Sequence, residues 1–169
     1  MSTAYIGLGS NLDHPRQQLK NALAELDFLD NTALLAASSL YCSPPMGPVD
    51  QPDYINAVAQ VETMLLPLQL LEAMQGVEQV HHRIRRRHWG ERTLDLDLLL
   101  YDDLEMLTPQ LQIPHPGITQ RAFVLMPLLE IAAQTVIPGK GPAQDYLQNL
   151  QDQTIVKIEG PTSSLNTKS

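Results

Sequence analysis

The chain has 169 residues, of which 43% are hydrophobic and 18% charged, and its formal net charge is -8 at pH 7. This length suits one domain with its own core, and no apolar run approaches the roughly 20 residues that cross a bilayer. The acidic balance argues against nonspecific nucleic-acid binding through a broad surface, and the single cysteine, Cys42, excludes an internal disulfide and a cysteine-built metal cage.

Hydrophobic periodicity predicts two helices and four strands in the first hundred residues. Apolar residues alternate in the strands and recur every three or four residues in the helices. The elements are a strand at 4–8, a helix at 19–29, strands at 32–41 and 54–64, a helix at 67–80 and a strand at 94–101. The order β-α-β-β-α-β predicts an α+β fold, a ferredoxin-like core with an antiparallel sheet and helices on one side.

C-terminal additions are expected beyond this core. A helix is predicted at 121–133 and a short one at 143–150, after a Gly-Lys-Gly-Pro break. The small, polar residues 160–169 predict a disordered tail after a single domain at 1–159. The first six residues lack the charged start and apolar stretch of a secretory signal, so cytoplasmic localisation is expected.

Two aspartates on the last of these strands are the candidates for a metal site. Asp95 and Asp97 are two residues apart, so they point to one face with Cα atoms roughly 6–7 Å apart. The alternating leucines from Leu94 to Leu100 then face the core. An ordinary alternative is a pair of solvated charges on a half-exposed strand. Aspartate is disfavoured in strands, however, and the flanking leucines imply burial, where carboxylates need a cation such as Mg²⁺ or Mn²⁺.

A dense basic cluster precedes that strand. Five of the seven arginines lie between Arg83 and Arg92, although the chain is acidic overall. Such local positive charge calls for an anion such as a polyphosphate. Trp89 offers a ring that can cover an aromatic ligand, and Gly90 a hinge beside it. We interpret residues 81–92 as a mobile basic lid, with a solvated loop as the ordinary alternative.

Several further residues suggest ligand contacts. Asn56 lies on an otherwise apolar strand, and its amide matches the edge of a heterocycle on whose faces Tyr54 or Phe123 could stack. A plain sheet edge is the alternative. His115 lies between prolines that fix its backbone, and Arg121 opens a helix where a cation opposes the dipole, so both are interpreted as phosphate or nucleotide contacts. Because the sequence has no P-loop and no Rossmann fingerprint, side chains and metal must hold the nucleotide.

Five motifs taken together resemble the 6-hydroxymethyl-7,8-dihydropterin pyrophosphokinase family of folate biosynthesis. They are Gly9-Ser10-Asn11-Leu12, Pro44-Pro45-Met46-Gly47-Pro48, Gln51-Pro52-Asp53-Tyr54-Ile55-Asn56, Trp89-Gly90-Glu91-Arg92-Thr93-Leu94-Asp95-Leu96-Asp97 and Ile113-Pro114-His115-Pro116. The match runs from about residue 4 to residue 137. It implies transfer of the terminal diphosphate of ATP to the hydroxymethyl oxygen of the pterin, by attack on the β-phosphorus and with release of AMP.

The resemblance also implies roles for particular residues. Two Mg²⁺ ions are expected on Asp95 and Asp97, with Arg83 and Arg92 neutralising phosphate charge, and these four are the expected catalytic residues. Nucleotide contacts are expected from Gln75, Glu78, Arg85, Trp89, Leu98, His115 and Arg121. Pterin contacts are expected from Ser43, Pro44, Met46, Tyr54, Asn56 and Phe123. No general base is identified, and the chain is expected to act as a monomer on ATP and the pterin, without nucleic acid or membrane.

The sequence departs from the family pattern at three positions. His88 stands where arginine is frequent, Gln110 where some members carry a cation, and Pro116 where some have tyrosine. These departures bear on nucleotide affinity rather than on the reaction. Two alternatives stay open: another Mg²⁺-dependent phosphoryl or nucleotidyl transferase, and a noncatalytic RNA-binding module. The second is disfavoured because the predicted sheet lacks the paired aromatics of an RNA platform.

Overall fold

The computed structural model describes residues 1–45, 50–82 and 93–160. Helices and an antiparallel sheet are mixed along these ranges. The elements are β1 (Ser2–Ser10), α1 (Pro15–Asp27), β2 (Thr32–Ala37), β3 (Leu40–Ser43), β4 (Tyr54–Thr63), α2 (Pro67–His82), β5 (Asp95–Tyr101), β6 (Met106–Leu107), β7 (Gln112–Ile113), α3 (Ala122–Ile131), β8 (Val136–Ile137), β9 (Gly141–Pro142), α4 (Gln144–Leu147), a 3-10 turn (Gln148–Leu150) and β10 (Val156–Glu159). None of the helices in the described ranges is long and apolar enough to cross a membrane.

The sheet has the strand order β10-β3-β4-β1-β5, and β2 also pairs with β4. Because β4 and β5 both run antiparallel to β1, the end of β1 meets the starts of its two neighbours. Gly9 on β1 faces Asn56 on one side and Asp95 on the other. Gly7 faces Asp97. This register brings the two carboxylates and the Asn56 amide to the same end of the sheet.

The two faces of the sheet carry separate hydrophobic clusters. The face with Ile55 and Val61 of β4 packs on α1 and α2. The opposite face, with Val58, packs on α3 through Leu125 and Leu128. The alternation along β4 is therefore as predicted. The expectation of helices on one side holds for α1 and α2, whereas α3 covers the other face because its own side chains are too apolar to leave exposed.

A β-bulge in β5 changes which face its last leucines occupy. The pairing with β1 shifts register between Tyr5 and Ile6, which leaves Leu99 as the extra residue. Leu98 packs on the α1 and α2 side, whereas Leu99 and Leu100 both belong to the α3 cluster. The predicted alternation is wrong for Leu100, because one extra residue inverts the side-chain phase of a strand.

The second predicted strand is two strands, β2 and β3, separated by a pair of buried serines. The Ser38 N–H donates to the Val58 carbonyl, and the Val58 N–H donates to Ser38 Oγ, each at 2.9 Å. The Ser39 N–H and hydroxyl donate to the two carboxylate oxygens of Glu130 on α3, at 3.0 and 2.7 Å. The Tyr41 hydroxyl donates to the same carboxylate at 2.8 Å. The break in the strand is therefore the place where α3 is hydrogen-bonded to the sheet.

The end of α2 corrects the predicted lid. His81 and His82, assigned to the basic loop, form the last turn of the helix. His81 is 6% exposed and its Nε2 lies 2.6 Å from Glu25 Oε1, whereas Val80 is 48% exposed. Position 81 follows Val77 by four residues, so it continues the buried stripe, and Val80 falls outside it. The rest of the lid, 83–92, and the predicted tail after Gly160 lie outside the described residues.

Three short pairings were not predicted. β10 adds to β3 at the edge of the sheet, and β6 with β7 and β8 with β9 form two small hairpins. Strands of two to four residues are too short for alternation to reveal them.

Candidate active site

A pocket of about 270 Å³ opens where β1 ends and β4 and β5 begin. Its walls come from β1, β3, β4, β5, the start of α3 and the loop before β4. Eight of the predicted site residues line it, namely Ser43, Pro44, Tyr54, Asn56, Asp95, Asp97, Arg121 and Phe123. The fold thus brings predicted pterin contacts and predicted metal ligands into one cavity, although they are far apart in sequence.

The two aspartates project into this pocket from β5. Leu94 and Leu96 beside them are buried against the α1 and α2 cluster, whereas the Asp97 side chain is 48% exposed. The expectation that the leucines imply burial of the carboxylates is wrong, because the two sets of side chains alternate onto opposite faces. An accessible pair of carboxylates suits binding to a cation that arrives with its ligand.

The donor set fits magnesium better than a protein-caged metal. Among the described residues, no group of three or more His, Cys, Asp or Glu side chains could hold a metal ion. Asp95 and Asp97 would therefore supply two carboxylates and leave the other positions to water and phosphate. Mg²⁺ is bound in that way, through one or two carboxylates plus substrate phosphates.

His115 stands beside Asp97 in a fixed orientation. Its Nδ1 accepts a hydrogen bond from the Gly117 N–H at 3.0 Å, so in the neutral ring the proton is on Nε2. Nε2 lies 3.7 Å from Asp97 Oδ1. Burial lowers the pKa of His115, the Asp97 carboxylate raises it and the Arg121 charge lowers it, with a net decrease. His115 therefore holds its Nε2 toward the Asp97 carboxylate.

Asn56 and Ser43 form the polar part of the opposite wall. Asn56 is 3% exposed, and its Nδ2 donates to Ser43 Oγ at 2.7 Å. A Cβ placed on Gly9 would lie 3.5 Å from Asn56 Oδ1, which is ordinary van der Waals contact, so Gly9 lies directly beside the amide. The bond to Ser43 holds the plane of the amide, whose nitrogen and oxygen are the donor and acceptor that recognition of a heterocycle edge requires.

Arg121 and Phe123 close the pocket from the start of α3. The Arg121 Cζ lies 5.8 Å from the centroid of the Phe123 ring. An arginine over an aromatic face is attracted to it by the ring quadrupole. The pair places an aromatic surface and a positive charge next to the aspartates.

The sequence matches the family model described as 7,8-dihydro-6-hydroxymethylpterin-pyrophosphokinase over residues 5–133. The chain belongs to this family. A Haemophilus influenzae protein named 2-amino-4-hydroxy-6-hydroxymethyldihydropteridine pyrophosphokinase is 48% identical over 158 residues, covering 94% of this chain and 99% of the relative. The protein of that name from Pseudomonas aeruginosa is 46% identical, covering 92% and 96%. The resemblance drawn from the motifs is confirmed.

A longer protein of known structure has the same fold. The crystal structure of Plasmodium falciparum HPPK-DHPS, wild type with STZ-DHP, matches with a TM-score of 0.70 at 14% identity. The match covers 88% of this chain and 43% of that one, so this chain spans less than half of its length. At such low identity the likeness shows the fold alone.

Three residues that were expected to contact the nucleotide do not line the pocket with their side chains. Glu78 Oε2 accepts the Leu96 N–H at 2.7 Å, on the edge of β5 that β1 does not pair. Leu98 is buried in the α1 and α2 cluster. Gln75 is exposed on α2. None of these three side chains lines the pocket, although Glu78 contacts the backbone between the two aspartates.

Five other expected contacts lie outside the described residues. They are Met46, Arg83, Arg85, Trp89 and Arg92. Of the departures from the family pattern, His88 is also outside, whereas Gln110 and Pro116 are exposed.

Gln51 is a pocket residue to which the sequence analysis gave no role. It is 7% exposed and lines the cavity. Asn11 Nδ2 donates to Gln51 Oε1 at 2.9 Å and to the Pro52 carbonyl at 3.0 Å, which ties the end of β1 to the loop before β4. Asn11 and Gln51 both belong to motifs that resemble the family, and this was the sequence signal that could have identified them.

Proposed function

We propose that this protein transfers the terminal diphosphate of ATP to the hydroxymethyl group of 6-hydroxymethyl-7,8-dihydropterin and releases AMP. Family membership over residues 5–133 supports this reaction. The observation that carries it is the composition of one pocket, where the Asn56 amide and the Phe123 ring lie in the same cavity as the Asp95 and Asp97 carboxylates.

The Asn56 wall binds the pterin. A flat heterocycle offers a hydrogen-bonding edge and two aromatic faces. The edge meets the Asn56 amide, which Ser43 orients, and the faces contact Phe123 and Tyr54. The half-enclosed, largely apolar cavity removes the ring from water, while its hydroxymethyl group points toward the aspartates.

The aspartate wall holds the triphosphate. Asp95 and Asp97 hold Mg²⁺, and we propose two ions, which when bound neutralise and polarise the phosphate oxygens. His115 donates its Nε2–H, and Arg121 adds a positive charge to the same region. Both groups stabilise negative charge that develops on the phosphates during transfer.

Diphosphate transfer depends mainly on the positioning of the two substrates relative to each other. The hydroxymethyl oxygen attacks the β-phosphorus, the bond from that phosphorus to the α-phosphate oxygen breaks, AMP leaves, and the alcohol proton passes to solvent. Placing the two substrates side by side converts a bimolecular encounter into a local step, which contributes about 7–11 kcal/mol when the alignment is good. No general base is assigned among the pocket residues that the structure describes.

The finer points of the architecture are part of the same proposal. We infer a ferredoxin-like core, supported by the central order β4-β1-β5 and by β2 and β3 beside β4. We further propose that residues 1–159 act as a single domain, monomeric and cytoplasmic.

One assay tests the reaction. Purified protein with Mg²⁺ and ATP should form AMP only when the pterin alcohol is present. Formation of ADP instead would identify single phosphoryl transfer, and ATP consumption independent of the pterin would remove the proposed acceptor. Asp97→Asn, which keeps the size of the side chain but weakens metal binding, is the matched inactive control.

A further inference from the structure

Arg121 reaches the pocket from the N-cap position of α3. It is the residue before α3, with an extended backbone at φ -127° and ψ 113°, and its own side chain makes no cap on the helix. The side chain crosses back over the 115–120 turn instead and lies against Phe123. A long side chain has many rotamers, so a single pocket-facing arrangement requires support from its surroundings.

The Arg121 side chain first depends on Gly117, because it occupies the space where a Cβ at that position would lie. A Cβ built on Gly117 would lie 2.8 Å from Arg121 Nε, 2.9 Å from Cζ and 3.2 Å from Cδ. Carbon atoms do not approach so closely, so any larger residue displaces the guanidinium. Gly117 is not among the glycines with positive φ, which are Gly139 and Gly141 among the described residues. Glycine at position 117 therefore matters for the room it leaves to the guanidinium rather than for its backbone conformation.

The second support is Gln153, 32 residues beyond Arg121. Its Oε1 accepts the Ala122 N–H at 2.8 Å, and its Nε2 donates to the Gln120 carbonyl, also at 2.8 Å. The two bonded residues flank Arg121 in the chain. One amide thus holds the backbone on both sides of the arginine and satisfies a first-turn N–H of α3 that has no partner within the helix. Gln153 lies beyond the 5–133 segment that matches the family model.

We propose that Gly117 and Gln153 are positioning residues that aim the Arg121 guanidinium into the pocket. Gly117 leaves the path of the side chain open, and Gln153 fixes the backbone from which it departs. This inference rests on the proposed function for the role of Arg121 toward phosphate. It adds two residues that touch no substrate but set the geometry of one that does.

A double-mutant cycle tests the role of Gly117. The variants are Gly117→Ala, Arg121→Gln and the double variant, with Gly76→Ala as the matched glycine control because a Cβ there meets nothing within 4 Å. We expect Gly117→Ala to lower kcat/KM for ATP on the order of tenfold, as expected for a misplaced charge, with unchanged pterin KM. In the Arg121→Gln background the same change should have no effect. Additive losses in the double variant would overturn the proposal, as would full activity of Gly117→Ala.

Gln153 is tested in the same way. Gln153→Ala should lower kcat/KM for ATP by about threefold to tenfold, because two hydrogen bonds around Arg121 are lost. Gln153→Glu keeps the acceptor for Ala122 but repels the Gln120 carbonyl, and should fall between wild type and alanine. Gln151→Ala, on the same exposed segment, is the control. A loss of the same size in the Arg121→Gln background would show that Gln153 acts elsewhere.

Binding and unfolding measurements separate this proposal from the proposed function. Titration with a nonhydrolysable ATP analogue should show weaker binding for Gly117→Ala, with a melting temperature equal to that of wild type. If wild type forms no AMP, the proposed reaction fails. Analogue binding by Gly117→Ala, Arg121→Gln and the double variant still tests whether Gly117 positions Arg121. Equal analogue binding by wild type, Gly117→Ala and Arg121→Gln would refute the positioning role.

Discussion

Removing the Ser43 hydroxyl is expected to weaken pterin recognition while the protein stays folded. Asn56 Nδ2 donates to Ser43 Oγ at 2.7 Å, and the two residues are 3% and 4% exposed. In Ser43→Ala the amide becomes a buried donor without this acceptor, which costs about 1–3 kcal/mol unless the amide rotates. Rotation exchanges its nitrogen and oxygen at the pocket. Either outcome should raise the pterin KM, by at most about 150-fold, because the free enzyme bears part of the cost and 1.4 kcal/mol corresponds to a factor of ten.

The assay is the pterin dependence of AMP formation at saturating ATP. Asn56→Ala should raise the pterin KM at least as much as Ser43→Ala, because it removes the amide rather than its orientation. Cys42→Ala is the control, since Cys42 is on the same strand but packs against the cluster on the opposite face. An unchanged pterin KM in Ser43→Ala, at unchanged melting temperature, would refute the idea that the serine orients the recognition amide.

Three further predictions concern the metal pair and stability. Asp97→Asn should abolish Mg²⁺-dependent turnover with an unchanged melting temperature, and substantial residual activity would contradict the metal assignment. Burial raises the pKa of Glu130, but hydrogen bonds from Ser39 and Tyr41 outweigh it and the pKa lies below its ordinary 4.5. The carboxylate therefore stabilises the fold above about pH 4.5, and this contribution disappears as pH falls through the folded-state pKa. Glu130→Gln should accordingly lower the unfolding free energy by about 1 kcal/mol at pH 7 and by less at pH 3, measured by urea unfolding. Gly76→Ala, in the middle of α2, should raise the unfolding free energy by about 1 kcal/mol, which corresponds to an increase of about 2–4 °C in melting temperature.

The faces of the strands on which the carboxylates and the amide lie could be predicted, because they follow from the alternation of neighbouring residues. Alternation alone gave the shared face of Tyr54 and Asn56 on β4 and of Asp95 and Asp97 on β5. The antiparallel pairing with β1 then brings these two pairs to one end of the sheet. The first step depends only on local alternation, whereas the second depends on the pairing of β1 with two strands that are distant in sequence.

The features that were missed depend on such distant contacts. The break between β2 and β3 is stabilised by hydrogen bonds from Ser39 to Glu130, which lies on an element about ninety residues later. The two hydrogen bonds of the Gln153 side chain come from a C-terminal segment whose sequence shows no hydrophobic periodicity. The bulge that turns Leu100 to the second face arises from pairing with β1 and not from the leucine pattern. Propensity and spacing do not carry this information.

The position of α3 decides whether the pocket exists, because Arg121 and Phe123 form one of its walls. Beyond its first turn this helix is held by burial of Leu125 and Leu128 in the second cluster and by the Glu130 hydrogen bonds to the sheet. Each buried leucine contributes about 1.5–3 kcal/mol, whereas the half-exposed carboxylate contributes about 1 kcal/mol in all. The leucines therefore set the helix position and the carboxylate adds stability. Glu130→Gln should for that reason leave the pterin KM unchanged while it lowers the unfolding free energy, and a KM that rose with the loss of stability would show that the carboxylate places the helix.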